Sequence, residues 1–458
     1  MKVIICGAGQ VGFGIAERLA AEQNDVTVID RSPELIQTIT DALDVQGIVG
    51  HGAYPDILQR AGAEDADMII AVTFTDEVNM MACQVCHTLF NVPTKIARVR
   101  AQSYLDPVWR NMFSRDHLPI DVIISPEMAV GEMVLRRLAL PGAFEAINFV
   151  DDQVIVLGVT CEEECPVVNT PLEQLTELFP DLAAVVIGVM RGGRLFVPHG
   201  SDQMLVGDDV YLAAERSQAE RTLSIFGHDE KEARRIVIAG GGNVGFYVAS
   251  KLEELQSRTQ VKIIESSRDR AVYVADRLRK AVILNGNALE GDLLREAGAD
   301  DTEAFIALTN DDKVNILSGL MAKQEGAGRA LSLVSNSDYT PMLKSLGIDA
   351  YISPRATTIS AVLQHVRRGR IRGVHSIQNG LAEVLEAEAL ETATLVGKPL
   401  REAELPDGIR IGALVRDGSV IIPDGDTEVR PHDRIVIFAL ADQVREVEHM
   451  FRVSLEYF

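Results

Sequence analysis

The sequence predicts an α/β fold of two Rossmann-like parallel-sheet domains, each followed by a small α+β domain. Two glycine-rich turns follow apolar strand-like runs, VIICGAGQVG at residues 3–12 and IVIAGGGNVG at residues 236–245. After each turn, short β-rich runs alternate with helical stretches, which is the pattern of a parallel sheet covered by helices. A Ser-Pro pair, at 125–126 and again at 353–354, then introduces a helix and a strand-rich segment.

Length, composition and charge favour a multidomain protein that does not bind nucleic acid. The chain has 458 residues, a hydrophobic content of 47% and a formal net charge of −23. Its length predicts roughly three to four domains. The acidic balance argues against a nucleic-acid partner, which would need a basic surface. We expect a cytoplasmic protein, because the sequence has no run of roughly 20 apolar residues, no signal-peptide pattern and too few cysteines for a disulfide framework.

The second half of the chain repeats the first. VTVIDRS at 26–32 returns as VKIIESS at 261–267, and DVIISPE at 121–127 returns as DAYISPR at 349–355. The strand-rich segments repeat as well, with Arg191, Pro198 and Asp208 corresponding to Arg416, Pro423 and Asp433. Such ordered correspondence indicates a tandem duplication.

These repeats predict the domain boundaries. We expect nucleotide-binding domains at 1–124 and 234–352, and a crossover helix with a small domain at 125–226 and 353–458. The charged stretch at 227–233 is predicted to link the two halves.

Each glycine turn is predicted to bind a nucleotide. The first glycine makes the turn, the second lets backbone amides approach a phosphate, and the third lets the helix pack closely on the strand. An acid at the end of a second strand, Asp30 or Glu265, suits a ribose hydroxyl pair and favours NAD or an adenine nucleotide over NADP. The turn residues predicted to contact the ligand are Gly7, Gly9, Gln10, Val11 and Gly12, with Gly240, Gly242, Asn243, Val244 and Gly245 in the second half. The alternative is a Rossmann-like unit that keeps its turn without a ligand.

Further candidates follow other strands of each predicted sheet. The motif TFTDEVN offers Thr73 and Asp76, and TNDDKVN offers Thr309 and Asp312; these residues could contact the ligand, cap a helix, or do both. Arg98 and Arg100 are suited to phosphate oxygens, although they could also form a surface pair. Their counterparts are Leu333 and Ser335. His51 and Asn287 correspond to each other beside the predicted crevice.

Two cysteine patterns are expected to be structural. CQVCH at 83–87 matches the haem-attachment pattern, and Cys-x-x-Cys can be redox-active. The second half has small residues at the cysteine positions, so packing is favoured. Cys161 and Cys165 have no further ligand at metal spacing, which argues against zinc. We therefore assign neither catalytic residues nor metal ligands.

Taken together, these elements resemble the RCK (KTN) family: GxGxxG, a strand-terminal acid, T-x-D-x-x-N and ISP, then a small R-x-G…P-x-G domain. Two such pairs in one chain are similar to the tandem-RCK, TrkA-type regulatory subunits of bacterial Trk potassium uptake systems, over essentially the whole chain. The family often has Gly-Asp-Ala where this chain has Gly50-His51-Gly52 and Gly286-Asn287-Ala288, so the acid often found there is absent.

The resemblance implies a nucleotide-sensing regulator and not an enzyme. Its implied ligands are NAD(H), ATP and ADP. Its implied partner is an integral-membrane potassium-translocating subunit of Trk type, which the regulator would meet at the inner face of the membrane and gate by changing conformation. RCK domains pair and form rings, which for a chain with two of them implies a homo-oligomer, namely a tetramer.

Two other functions are compatible with the residues. An NAD-dependent oxidoreductase would need a substrate domain with an acid–base group near the nicotinamide, and the small domains look too short to supply one. An RCK regulator of another cation transporter, such as a proton-coupled antiporter, is the second alternative.

Overall fold

The computed structural model describes residues 1–255, 258–366 and 371–451. It divides into two compact units, each of which unites corresponding parts of the two halves. The first unit combines Met1–Val134 with Arg234–His365, and the second combines Leu135–Ala233 with the chain from Val366 onward. Within these described ranges, no helix has the length and apolarity to cross a membrane.

The first parallel sheet has the strand order β3-β2-β1-β4-β5-β6, which is the doubly wound order of dinucleotide-binding folds. Its strands are β1 (Lys2–Cys6), β2 (Asp25–Asp30), β3 (Gln46–Val49), β4 (Met68–Ala71), β5 (Thr94–Arg98) and β6 (Val122–Ile124). Its helices are α1 (Gln10–Ala21), α2 (Pro33–Ala42), α3 (Pro55–Arg60) and α4 (Asp76–Phe90), and α5 (Pro126–Ala139) follows the sheet.

Burial explains the position of β1 at the centre of this sheet. Ile5 is fully buried and pairs in parallel register with Val28 of β2 and Ile70 of β4. A strand covered by helices on both faces has to be apolar along its length, and the run VIIC meets that requirement. The carboxyl end of β1 therefore opens directly into the glycine turn.

A small strand-rich part follows α5. It contains β7 (Glu145–Phe149), β8 (Val154–Thr160), β9 (Ala184–Arg191), β10 (Arg194–Phe196) and β11 (Asp209–Glu215), with α6 (Leu172–Leu178) and α7 (Ala219–Ile225). The strands pair antiparallel in the order β10-β9-β11-β8-β7.

The second half repeats this plan. Its parallel sheet contains β12 (Arg235–Ala239), β13 (Gln260–Glu265), β14 (Val282–Asn285), β15 (Ala304–Ala307), β16 (Ala330–Leu333) and β17 (Ala350–Ile352), in the order β14-β13-β12-β15-β16-β17. Its helices are α8 (Asn243–Leu255), α9 (Arg268–Ala275), α10 (Gly291–Glu296), α11 (Asp312–Glu325), α12 (Thr340–Leu346) and α13 (Pro354–Leu363).

The final part is again an antiparallel sheet. It contains β18 (Ile371–Ile377), β19 (Ala382–Glu388), β20 (Ile409–Arg416), β21 (Ser419–Ile421) and β22 (Arg434–Leu440), and ends with α14 (Val444–Met450). Its strand order is β18-β19-β22-β20-β21. The predicted fold class, two Rossmann-like domains each followed by a small α+β domain, is confirmed.

The Ser-Pro pairs begin helices as predicted. Ser353 precedes α13, its hydroxyl accepts a hydrogen bond from the Ala356 amide at 3.2 Å, and Pro354 occupies the first helical position. Ser125 stands in the same relation to α5, with a longer bond of 3.4 Å from the Met128 amide. A proline there costs nothing because the first amides of a helix have no intrahelical acceptor.

Within the second unit, the repeated Arg and Asp residues form two equivalent ion pairs. Arg191 donates two hydrogen bonds to Asp208, Nε to Oδ1 at 2.9 Å and Nη2 to Oδ2 at 2.6 Å. Arg416 and Asp433 repeat this fork at 2.8 and 2.7 Å. Both aspartates are almost fully buried, and the hydrogen bond to its aspartate raises the pKa of each arginine. Such pairs fix the chain before β11 and β22 to the strands β9 and β20.

We predict that Asp208→Ala destabilises the second unit by about 2–4 kcal/mol, because Arg191 and the Leu205 amide both lose their acceptor. Calorimetric unfolding of the full chain measures this as a lower transition temperature. Lys2→Met is the control: it removes the exposed Lys2–Asp65 pair, which contributes less than about 1 kcal/mol. Equal shifts in the two variants would contradict the structural role of the buried pair.

Candidate functional site

The glycine turns have the geometry that a phosphate site requires. Gly7 has a φ of +113°, and Gly240 has a φ of +106°, a region that favours glycine. A Cβ on Gly12 would lie 1.8 Å from the Gly7 carbonyl oxygen, so α1 can pack on the turn only without a side chain there. A Cβ on Gly9, in contrast, would meet no atom within 4 Å. The space above Gly9 is therefore open to a ligand.

The second half reproduces this arrangement. A Cβ on Gly245 would lie 2.0 Å from the Gly240 carbonyl oxygen, whereas a Cβ on Gly242 would meet nothing within 4 Å. The equivalence of the two turns follows from the same three glycine positions. Both turns can accept a close approach from outside.

Each strand-terminal acid holds its glycine turn in place. Asp30 accepts hydrogen bonds from the Ala8 amide at 2.7 Å and from the Ser32 amide at 2.9 Å. Glu265 accepts from the Gly241 and Ser267 amides at 2.7 and 2.8 Å. The structure thus brings each acid to its turn, at the edge where the carboxyl ends of the parallel strands meet.

The start of α1 leaves backbone donors free for a ligand. Gly9 precedes the helix and has no side chain to cap it, and the first turn contains no acidic residue. Gln10 and Val11 are the first helical residues, and the amides of a first turn have no intrahelical acceptor. Asn243 and Val244 open α8 in the same way. Such amides and the helix dipole attract an anion.

The T-x-D-x-x-N motif ties neighbouring strands together. Asn79 is fully buried; its Oδ1 accepts from the Thr73 amide at 2.8 Å and its Nδ2 donates to the Arg98 carbonyl at 2.9 Å. Asp76 accepts from the Arg100 and Ala101 amides at 2.9 and 2.8 Å.

The second half makes the same connections. Asn315 binds Thr309 and the Leu333 carbonyl, and Asp312 accepts from the Ser335 and Asn336 amides. Asp311, the residue before Asp312, caps α11. In both halves the motif therefore builds the rim of the crevice, and direct ligand contact by Thr73, Asp76, Thr309 and Asp312 stays a prediction.

Two arginines line the first crevice beyond this rim. Arg98 Nη2 donates to the Thr73 carbonyl at 3.1 Å, and its buried Nε has no hydrogen-bond partner among the described residues. Burial, with the nearby Arg100 charge, lowers the pKa of Arg98. Arg100 donates to Glu127 at 3.0 Å and lies 5.5 Å above the Phe74 ring, which is 82% exposed. The end of β5 therefore carries two guanidinium groups, a residue type suited to phosphate oxygens.

His51 and Asn287 occupy equivalent loops. His51 Nδ1 accepts from the Ala53 amide at 3.3 Å, and its ring stacks on Tyr54. Asn287 accepts from the Leu289 amide at 3.0 Å. The His51 loop lies against β1, since the Cys6 thiol donates to the Gly52 carbonyl. Both residues thus shape a loop near the crevice, and their contact with a ligand stays a prediction.

Arg270 lies at the second crevice and was not among the residues predicted from the sequence. Arg270 donates from Nε to the Gly241 carbonyl at 2.7 Å and from Nη2 to Asn243 Oδ1 at 3.3 Å, and it lies 4.6 Å above the Tyr273 ring. Leu35 stands at the equivalent position of the first half. The sequence signal that could have identified Arg270 is its position in the first turn of α9, the helix that follows β13 and Glu265.

The cysteines lie in packed interiors. Cys83 and Cys86 are fully buried in the core of the first sheet, and burial raises the pKa of the Cys86 thiol to about 12. Cys161 and Cys165 are also buried; a hydrogen bond between their sulfurs raises the pKa of Cys161 and lowers that of Cys165. Across the described ranges, no group of three or more His, Cys, Asp or Glu side chains is placed to hold a metal ion.

Family models match both halves of the chain. The TrkA-N domain matches residues 3–126 and 236–354, and the TrkA-C domain matches residues 156–227 and 384–452. The chain is 60% identical to the Trk system potassium uptake protein TrkA of Azorhizobium caulinodans, with 100% of both chains covered. It is 41% identical to the protein of the same name from Halomonas elongata, again with 100% of both chains covered.

Solved structures share the fold at low sequence identity. A crystal structure of the GsuK RCK domain has a TM-score of 0.59 at 17% identity, covering 98% of this chain and 94% of that one. A structure of the GsuK channel bound to NAD has a TM-score of 0.60 at 17% identity, covering 98% and 78%. These likenesses establish the RCK architecture of the described chain.

We predict that two alanine substitutions in the first glycine turn affect different properties, one ligand binding and the other stability. Gly9→Ala keeps the fold, because its Cβ enters open space; if the first turn is a phosphate site, the same Cβ weakens binding of NADH, used as a probe, at least about tenfold. Gly12→Ala lowers the thermal transition temperature, because its Cβ meets the Gly7 carbonyl. Calorimetry of unfolding and of NADH binding measures both effects. A Gly9→Ala chain that binds NADH like wild type would place the ligand elsewhere.

Proposed function

Because the chain belongs to the TrkA family of Trk system potassium uptake proteins, we propose that it is a nucleotide-sensing regulatory subunit. It acts with an integral-membrane potassium-translocating subunit of Trk type and controls potassium uptake. The observation that carries the proposal is the pair of glycine turns, each open above its second glycine and each held by a strand-terminal acid. The expected ligands are NAD(H), ATP and ADP.

The first crevice is proposed to bind nucleotide through its turn, its helix start and its arginines. Phosphate oxygens would accept from the amides of Gly9, Gln10 and Val11, and a ribose would lie at Asp30. Arg98 and Arg100 add two guanidinium charges at the end of β5. The combination of free amides with this positive charge supports a ligand with several phosphates.

The second crevice is proposed to hold a nucleotide differently. It has no arginine at the end of β16, but Arg270 lies at its ribose edge, where its donors face Gly241 and Asn243. A guanidinium beside the start of α8 is suited to a pyrophosphate oxygen. The two sites would therefore differ in affinity and in nucleotide preference.

Regulation would follow from unequal binding to two arrangements of the domains. A nucleotide shifts such an equilibrium only by its difference in affinity for the two states. NAD(H), ATP and ADP share an adenosine and a pyrophosphate but differ beyond them, at the side of the crevice where Arg98 and Arg100 lie. Ligand-dependent contacts to these arginines are the proposed source of the difference. The glycine turns then sense the nucleotide and do not consume it, so we propose no enzymatic activity.

Assembly completes the proposal. We propose that the chain forms a homo-tetramer on the cytoplasmic face of its membrane partner, without nucleic acid. We propose that the chain is divided at the predicted boundaries, 1–124, 125–226, 227–233, 234–352 and 353–458.

We predict that Arg270→Leu, which copies Leu35 of the first site, weakens NADH binding at the second site about tenfold through loss of a phosphate donor. Titration calorimetry in a Gly9→Ala background isolates this site. Tighter binding in the variant would show that Arg270 covers the crevice and competes with the ligand.

We predict that ATP, ADP and NADH change potassium flux by different amounts when the chain is reconstituted with a Trk-type membrane subunit in proteoliposomes. Gly9→Ala should remove most of this response, because it blocks the first site. The control is Gly200→Ala, whose Cβ makes only ordinary contact with Glu173 at 3.5 Å. Nucleotide-independent flux with the wild-type chain would overturn the regulatory role, and steady hydride transfer to a small metabolite would favour an oxidoreductase.

A further inference from the structure

Two equivalent helix contacts join the halves of the chain inside the first unit. Helix α1 of the first half packs against α13, which follows the second sheet. Helix α5, which follows the first sheet, packs in turn against α8 of the second half, as the contact of Gly131 with Tyr247 shows. Each half thus lays its crossover helix on the first helix of the other half.

In the contact between α1 and α13, the glycine is on α1. Gly14 is buried against Ile359, and a Cβ on Gly14 would lie only 2.3 Å from Ile359 Cδ1. Real side chains do not approach so closely, so a larger residue at position 14 would force the end of the Ile359 side chain to move from the place that it fills. Here the bulky residue is on the crossover helix.

The contact between α5 and α8 needs a glycine on α5. A Cβ on Gly131 would lie 2.4 Å from Tyr247 Cδ1. The Tyr247 hydroxyl donates to Glu132 Oε1 at 2.5 Å. The tyrosine therefore fills the hole over Gly131 and is held there by the next residue along. Here the bulky residue is on the first helix.

The duplication makes these two contacts directly comparable. Gly7 corresponds to Gly240, which places Gly14 opposite Tyr247 in the repeat, and Asp121 corresponds to Asp349, which places Gly131 opposite Ile359. Each contact pairs one glycine with one large side chain, but the glycine is on a different helix in each. The first half has glycine at both positions, and the second half has a large residue at both.

We infer that this exchange makes the surface selective for pairing between unlike halves of the chain. Two first halves would set Gly14 against Gly131 and leave a void at each contact, which costs packing energy. Two second halves would set Tyr247 against Ile359, and two large side chains cannot share the space. The first unit therefore contains one site with Arg98 and Arg100 and one with Arg270, and pairing of like halves through this surface is disfavoured.

The inference is tested by moving the large residue. Gly131→Tyr places two tyrosines together in the unlike contact, but between two first halves the introduced side chain fits over Gly14 of the other chain. The variant should have a lower transition temperature and form a species of roughly twofold mass, because a like-half pair joins two chains. Adding Tyr247→Gly restores a glycine opposite the introduced tyrosine, and should return both the transition temperature and the mass toward wild type.

Sedimentation velocity and calorimetry of the full chain measure the mass and the transition temperature. Met128→Tyr is the matched control, since it adds a tyrosine to α5 at an exposed position, and it should change neither. The inference is overturned if Gly131→Tyr keeps the wild-type mass and transition temperature. It is also overturned if the double variant stays as unstable or as associated as Gly131→Tyr.

Discussion

The structure of each crevice depends on how closely one helix approaches one carbonyl oxygen. Gly12 lies so near the Gly7 carbonyl that a single added carbon would collide with it, and Gly245 lies equally near Gly240. This contact lets α1 start immediately beyond β1, so that the free amides of its first turn face the strand edge. The strand-terminal acid can then reach across to the turn, as Asp30 does to Ala8. Without the close approach, the amides and the acid would not meet at one place on the strand edge.

Both halves keep the same backbone arrangement, although side chains around it differ. Asp121 and Asp349 are an example: each accepts a hydrogen bond from a backbone amide of the neighbouring strand and also pairs with a lysine. In the first half the lysine is Lys95, buried on β5 at 2.7 Å from Asp121. In the second half Lys323 reaches Asp349 from α11 at 3.1 Å. The aspartate keeps its charge partner although the partner comes from a different element.

Sequence reasoning predicted the parts that depend on backbone conformation. The glycine positions, the acids and the Ser-Pro helix starts are local patterns with one physical solution each, and the repeat made them visible twice. The repeat also showed that Arg191 and Asp208 correspond to Arg416 and Asp433, but only the structure shows that the two residues of each half form an ion pair. The role of Asn79 was harder to predict, because capping and cross-strand hydrogen bonding need the same residue types.

Contacts whose residues come from different helices or strands in the two halves could not be predicted in this way. In the alignment of the halves, Ala330 stands opposite Lys95, so the alignment does not point to Lys323 on α11 as the replacement. Leu333 likewise stands opposite Arg98, and the alignment does not point to Arg270 on α9. Gly14 and Gly131 looked like ordinary helix residues, since their large partners are far away in the sequence. Only the packing of α1 on α13 and of Gly131 on Tyr247 shows that these glycines make room for large side chains of the other half.

The exchanged contacts give the duplication a physical consequence. A duplicated gene at first encodes identical halves, which pair equally well with themselves and with each other. Once glycine and bulky residues are divided between the halves, only the unlike pair packs well at this surface, and the first unit keeps one copy of each crevice. The residues of the two crevices can then change independently, because each crevice is paired with the other one and not with an identical copy. Arg98 in one crevice and Arg270 in the other are the divergence that such a pairing permits. Under the proposed function, two unlike sites would respond to two different nucleotides, whereas a symmetric pair would respond to one.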